Sequence, residues 1–187
     1  MNDYSINNHF LTSAKIFGLL PSLSIQIESI ANVMLDSLKK GGCIYWFGNG
    51  GSASDAEHLA AELSGKFAHE RKALNSISLT TNTSALTAIS NDFGYEKVFA
   101  RQVEAHVRPN DVVVGISTSG NSKNVLLGLE EADKRLATTM LFTGQKQNGA
   151  RYIHHEVNVP SLVTAHIQEA HITIGQAICG YIEQKYL

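Results

Sequence analysis

Cysteine is scarce. Cys43 and Cys179 are the only two in 187 residues. Both lie in apolar contexts, and two are too few for a disulfide framework, so a reducing, cytoplasmic setting is expected. Charge is scarce too. Charged residues make up 17% of the chain and the formal net charge is −2, which leaves no basic footprint for nucleic acid. There is no block of like charge, no low-complexity tract and no internal repeat. The first twenty residues, MNDYSINNHFLTSAKIFGLL, lack a basic n-region and a clean apolar core, so they do not read as a signal peptide. No apolar run approaches membrane-spanning length, so no membrane partner is expected. What the chain does have is 43% hydrophobic residues. That is enough to bury a core as one domain over residues 1–187, and it excludes disorder.

Helix-like and strand-like pieces alternate. Residues 5–17 pattern as a helix. Pro21 is placed to open a second, whose stripe of Ile25, Ile27, Ile30, Val33, Met34, Leu35 and Leu38 runs to the KKGG stop at 39–42. Five short apolar strands follow: CIYWF (43–47), NSISL (75–79), DVVVGIS (111–117), TTMLFTG (138–144) and HHEVNVP (154–160). Helical stretches separate them, and the last runs from about 163 to 186. Short apolar strands alternating with helices predict a three-layer α/β fold, a five-stranded parallel sheet flanked by helices. Residues 1–41 form a helical N-terminal extension to that unit.

Open parallel sheets bind ligands beyond the carboxyl ends of their strands. Two loops at such ends have unusual chemistry. GNGGS follows the first strand; its glycines permit close backbone approach, and the next helix offers free N–H groups to an anion. STSGNS, residues 117–122, follows the third strand and supplies the hydroxyls of Ser117, Thr118, Ser119 and Ser122. This is a neutral phosphate cradle without the lysine of a P-loop. Either loop alone reads equally well as a capped strand-to-helix turn. Both together, at equivalent strand ends, favour a ligand.

His58 and Glu62, four residues apart, share one face of the helix that GNGGS opens. The apolar arc of that helix holds Ala56, Leu59, Leu63 and Phe67. The pair lies outside the arc, flanked by Ser54, Ala61 and Gly65, which leave room for a ligand. A local ion pair on a solvated face is the plain alternative to a metal or acid–base site. Further ligands have to come from elsewhere, and the last helix offers candidates. Gln168 falls inside its broad apolar arc and Gln176 at the margin, and buried amides need partners. His69, His154 and His155 read as surface or structural.

Four stretches, GNGGSASDAEHLAAEL, AISNDFGYEKVFARQV, GISTSGNSKNV and HIQEAHI, carry a resemblance over nearly the whole chain. They resemble sugar-isomerase (SIS) domains and, more narrowly, phosphoheptose isomerases. These enzymes interconvert sedoheptulose 7-phosphate and D-glycero-D-manno-heptose 7-phosphate for lipopolysaccharide or capsule. The resemblance implies that Asn49, Gly50, Gly51, Asn91 and Asp92 contact substrate. It implies that Ser117, Thr118, Ser119 and Ser122 hold the phosphate. It makes His58, Glu62 and Gln168 ligands of one zinc per subunit, with Glu62 also the base and Gln168 in reach of substrate. It further implies a homotetramer, with residues 1–41 used in assembly.

One position departs from the family pattern. Where a histidine serves as zinc ligand and second acid/base, this chain has Gln176, eight residues after Gln168. Glutamine can ligate through its carbonyl oxygen, but it cannot shuttle a proton near neutral pH. His171 is a poor substitute, because on a regular helix it points about 140° away from Gln176. A non-catalytic SIS module that binds a sugar phosphate or a protein partner is therefore the competing expectation. Retention of His58, Glu62 and Gln168 favours the enzyme.

Overall fold

The computed structural model describes residues 5–146 and 148–187. Ser5 caps α1 (Ile6–Phe17), its hydroxyl accepting from the Asn8 amide. Pro21 does not open a long helix. It sits in a 3₁₀ turn, Leu20–Leu23, and α2 begins at Ser24 and runs to Lys39. The remaining elements are β1 (Ile44–Gly48), α3 (Gly51–Ser64), β2 (Ser76–Ser78), α4 (Thr83–Phe93), α5 (Val98–His106), β3 (Val112–Ile116), α6 (Lys123–Lys134), β4 (Thr138–Thr143), β5 (His155–Asn158) and α7 (Thr164–Tyr186). All five strands expected from the sequence are present, each within a few residues of its anticipated ends.

The sheet is parallel throughout, in the order β2-β1-β3-β4-β5. Alternate residues of each strand serve opposite layers. Trp46, Val112, Val114, Ile116, Met140 and Phe142 pack against α2, α3 and α7. Tyr45, Phe47, Val113 and Leu141 face α5 and α6 on the other side. Burial on both faces explains why these strands are continuous apolar runs rather than alternating ones.

Ile6–Lys39 is the one helical stretch among the described residues that is long and apolar enough, by length and composition, to cross a membrane. The turn at Leu20–Leu23 interrupts it, and Ile30, Met34, Leu35 and Leu38 of α2 are buried in the core. Ile6, Phe10, Leu11 and Ile25 remain exposed, Ile25 by 85%.

Candidate functional site

Chain order and sheet order differ at one place that matters. From β1 the chain crosses first to β2 on one side and later to β3 on the other, so the loops leaving β1 and β3 diverge from neighbouring strands. Gly48 pairs with Ile116 in the register. Both loops thus start at the same level, side by side, and a crevice at such a switch point is where open α/β sheets take ligands.

The first loop is shaped by glycine. Gly50 has φ +56° and ψ −123°, a conformation nearly closed to residues with a Cβ. Gly51 opens α3, and a Cβ there would lie 2.6 Å from Nε2 of Gln168. The Gln168 side chain therefore packs directly on the loop. Asn49 is tied down: its amide exchanges bonds of 2.9 and 2.8 Å with Asn124 of α6, and the Tyr95 hydroxyl donates to its Oδ1 at 2.8 Å. Asn124 and Tyr95 were not anticipated as site residues. Asn124 shares a helix N-terminus with the second loop, which was the available clue.

The second loop is preorganised by its own hydroxyls. Ser117 donates to Ser122 Oγ at 2.9 Å and lies 3.4 Å from Ser119 Oγ. Gly120, at φ +68°, bends the chain so that its N–H reaches the Ser117 carbonyl. Thr118 and Ser119 join Asn121, Gln145, Lys146, Ser161 and Thr164 around a cavity of about 240 Å³. The loop itself is neutral, as expected, and Lys146 brings a positive charge to the cavity beside it. The clue was positional: Lys146 leaves the end of β4, the next strand over.

The predicted pair forms. His58 Nε2 lies 3.0 Å from Glu62 Oε1, with the His58 side chain 51% exposed and that of Glu62 19%. Phe67 does not share their helix; α3 ends at Ser64, and Phe67 is 38% exposed against Gly180. The end of α3 is clamped instead. Arg71 donates to the carbonyls of Glu62 and Leu63, and its Nε stands 3.2 Å from Glu183 Oε1 of α7. Glu183 also accepts the backbone N–H groups of Phe67, Ala68 and His69. Burial acts to raise its pKa, but those donors and Arg71 outweigh it and hold the carboxyl below the ordinary range.

Helix α7 runs parallel to α3 and close to it. Gln168 meets Gly51, and a Cβ on Gly175 would collide with the Leu59 side chain. Cys179 Sγ then approaches the Leu59 carbonyl at 3.9 Å. Burial pushes the Cys179 thiol up to about 12, and the charge of Glu62 adds to this. Gln176 follows Gly175 and is half-buried, at the level of His58 and Glu62 along α3. Asp55, one turn before His58, has a buried Oδ2 with no hydrogen-bond partner, and burial lifts its pKa from 3.8 to about 6, against the opposing effect of His58.

Asn91 and Asp92 lie just before Tyr95, whose hydroxyl bonds Asn49. They are exposed on the last turn of α4, Asn91 Nδ2 donating to Asp92 Oδ1 at 2.8 Å. Among the described residues no hydrogen bond joins them to α3 or α7. His154 is engaged structurally, accepting from the Thr139 amide and lying 3.1 Å from Asp133. His171 is fully buried, 3.1 Å from the Thr143 carbonyl.

The donor set near α3 suits a zinc-type ion: one imidazole, one carboxylate and amide oxygens on the facing helix. His58 and Glu62 already converge, and Gln176 lies at their level. Gln168, packed on Gly51, lies about two turns further along, since seven residues of helix rise roughly 10 Å.

Comparisons with known proteins give the family. A family model described as SIS domain matches residues 14–144. The chain is 51% identical to the phosphoheptose isomerase of Aquifex aeolicus over 162 residues, 85% of this chain and 84% of that one. It is 44% identical to that of Akkermansia muciniphila over 99% of this chain and 98% of the other. The solved phosphoheptose isomerase of Neisseria gonorrhoeae superposes with a TM-score of 0.88 at 40% identity, covering 96% of this chain and 97% of that one. With the two strand-end loops and the α3 pair in place, the chain belongs to the phosphoheptose isomerase family of SIS-domain proteins.

Proposed function

We propose that this chain interconverts sedoheptulose 7-phosphate and D-glycero-D-manno-heptose 7-phosphate, in the cytoplasm, supplying heptose for lipopolysaccharide or capsule. The observation that carries this reading is the juxtaposition at the β1/β3 switch point. A hydroxyl-lined loop at the start of α6 lies beside a glycine loop whose helix bears His58 and Glu62.

The reaction moves a proton between adjacent carbons of the sugar through an enediol. It needs a base at carbon, a polarising group at the oxygens and a grip on the remote phosphate. Ser117, Thr118, Ser119 and Ser122, with the N-terminus of α6, hold the phosphate as a dianion. Lys146 adds a positive charge at the cradle wall. Asn49, Gly50 and Gly51 line the sugar; Asn49 is held in place by Asn124 and Tyr95. Glu62 takes the proton from carbon, with His58 orienting its carboxylate at 3.0 Å. Asn91 and Asp92, exposed at the end of α4 just before Tyr95, would contact the sugar beside Asn49, and the protein would assemble as a homotetramer.

His58, Glu62 and Gln176 would hold one zinc per subunit, with Gln168 as a further ligand only if its side chain leaves Gly51 and turns along α7 toward the pair. When bound, the ion supplies a Lewis acid for the reacting oxygens. Gln176 donates and accepts hydrogen bonds but carries no proton between carbons, so the second acid–base role is weakened here. The exposed apolar residues of α1 and α2, with the apolar groove between α2 and α7 lined by Leu20, Ile27, Ile174, Ile178 and Tyr181, supply the tetramer contacts.

The test is incubation of the zinc-loaded protein with sedoheptulose 7-phosphate, with product followed by NMR. Glu62→Gln should lower kcat by ~10²-fold or more while the fold persists, since a positioned base contributes about that much. Binding of the sugar phosphate without turnover in the parent protein would identify a binding module instead.

A further inference from the structure

The N-terminal helix brings a second group of metal-type donors against α7, away from the substrate crevice. His9 of α1 and His166 and Glu169 of α7 place one ligand atom each within 4.8 Å of one another. His9 Nε2 lies 2.9 Å from Glu169 Oε1, and His166 Nδ1 lies 3.3 Å from Glu169 Oε2. Ser13, one turn along α1, donates to Oε2 at 2.7 Å and stands 3.0 Å from His166 Nδ1. His166 is buried, 5% exposed, and the other two are partly covered.

We propose that His9, His166 and Glu169 form a second divalent-metal site, selective for zinc-like ions, that fastens α1 to the first turns of α7. Two imidazole nitrogens and one carboxylate are a zinc-type set with a fourth position left for water. Tetrahedral bonds of 2.0–2.1 Å put donor atoms about 3.3 Å apart. The spacings of 2.9 and 3.3 Å, each to a different oxygen of Glu169, with the whole set inside 4.8 Å, bring the donors near that geometry and leave the imidazoles to draw in around an ion. The two rings lie 4.4 Å apart, centroid to centroid. Ser13 is left to anchor the water or the carboxylate, as outer partners of metal ligands do.

This site is separate from the one assigned to the reaction. At about 100° per residue, His166 and Glu169 fall within roughly 60° of each other on α7, while Gln168 points more than 90° from both directions. Its ligands come from segments 160 residues apart in the chain. An ion there would therefore cross-link the N-terminal extension to the helix that carries Gln168, and it takes no part in proton transfer.

The experiment uses the full-length protein, stripped with chelator and titrated with Co²⁺ at micromolar free concentration. Bound metal is counted after equilibrium dialysis, and visible absorption reports tetrahedral sites. His9→Ala, Glu169→Gln and Glu62→Gln are compared with the parent, with circular dichroism confirming that each is folded. The expected result is that His9→Ala and Glu169→Gln each lose one equivalent per subunit that Glu62→Gln keeps. Zinc should also raise the melting temperature of Glu62→Gln more than that of the double variant Glu62→Gln/His9→Ala. Unchanged metal content in folded His9→Ala and Glu169→Gln would overturn the proposal, leaving the cluster a network of shared protons. Because the count is read in Glu62→Gln as well, it is independent of whether the isomerase reading holds.

Discussion

A buried histidine and a half-buried aspartate titrate in opposite senses, and their opposition should be measurable. His171 is fully buried, its Nε2 bonded to the Thr143 carbonyl and its Nδ1 without a partner. Burial pushes its pKa from 6.5 down to about 4, with the bond to Thr143 opposing. The unfolded chain thus binds a proton between about pH 6.5 and 4 that the native chain refuses. Stability falls as pH drops through that window. At 1.36 kcal/mol per pH unit the full loss is about 3 kcal/mol. Asp55 does the reverse. Burial raises it from 3.8 to about 6, so the native chain keeps a proton that the unfolded chain releases, and stability rises as pH falls from about 6 to 3.8. Allowing for partial exposure, this is about 1–3 kcal/mol. The two slopes overlap and nearly cancel, so the parent protein should look flat between pH 6 and 4.5. Urea denaturation of metal-free protein at several pH values, for the parent, Asp55→Asn and His171→Asn, separates them. Asp55→Asn should gain stability at pH 7 and lose it steadily on acidification. His171→Asn should be less stable at pH 7 and gain on acidification. Three superimposable pH profiles would refute the reasoning. Below pH 4.5 all three should fall together, as Glu169 and Glu183, both held low in the native state, take up protons.

Ser119→Ala should raise KM for the sugar phosphate about tenfold without changing metal content, since one charge-assisted bond is worth ~1.5 kcal/mol or more; steady-state kinetics with metal analysis decide it. Arg71→Met leaves Glu183 buried with only its three amide donors, and should cost about 3 kcal/mol and lower Tm by roughly 6–12 °C in calorimetry. Gln176→His should tighten zinc and raise kcat by ~10-fold or more in the same rate assay, because imidazole both ligates better and carries a proton; loss of stability with no gain in rate would show that Gln176 is not at the metal.

The strands were legible because they are buried on both faces: CIYWF and DVVVGI leave no ambiguity of period, and their ends fall where expected. The two strand-end loops were legible from composition, as hydroxyls and glycines between a strand and a helix, but it was their pairing at adjacent strand ends that pointed to a ligand rather than to capped turns. Contacts across the fold were not. Lys146 reaches the cradle only because β4 lies beside β3. The i, i+3 pair His166 and Glu169 was visible in TAHIQEAHI, but its partner His9 lies on a helix packed from the far end of the chain. Pro21 misled for a local reason: its fixed φ suits a 3₁₀ turn as well as an α-helical first turn, and the turn Leu20–Leu23 took it.

The crossing of α3 and α7 explains why glycine and glutamine recur around this site. Where the helices touch, one residue of each close pair is glycine: Gly51 against Gln168, and Gly175 against Leu59. Without Cβ atoms at these points the axes approach closely, and two contacts at similar spacing along both helices fix their relative rotation. The rotation in turn sets what α7 can present to His58 and Glu62. With Gly175 committed to Leu59, the next residue, Gln176, is the one offered at the level of the pair. If Gln176 stands among the zinc donors as proposed, the departure from histidine falls at a position that the α3–α7 packing selects, and Gln176→His should then change rate and zinc affinity rather than stability.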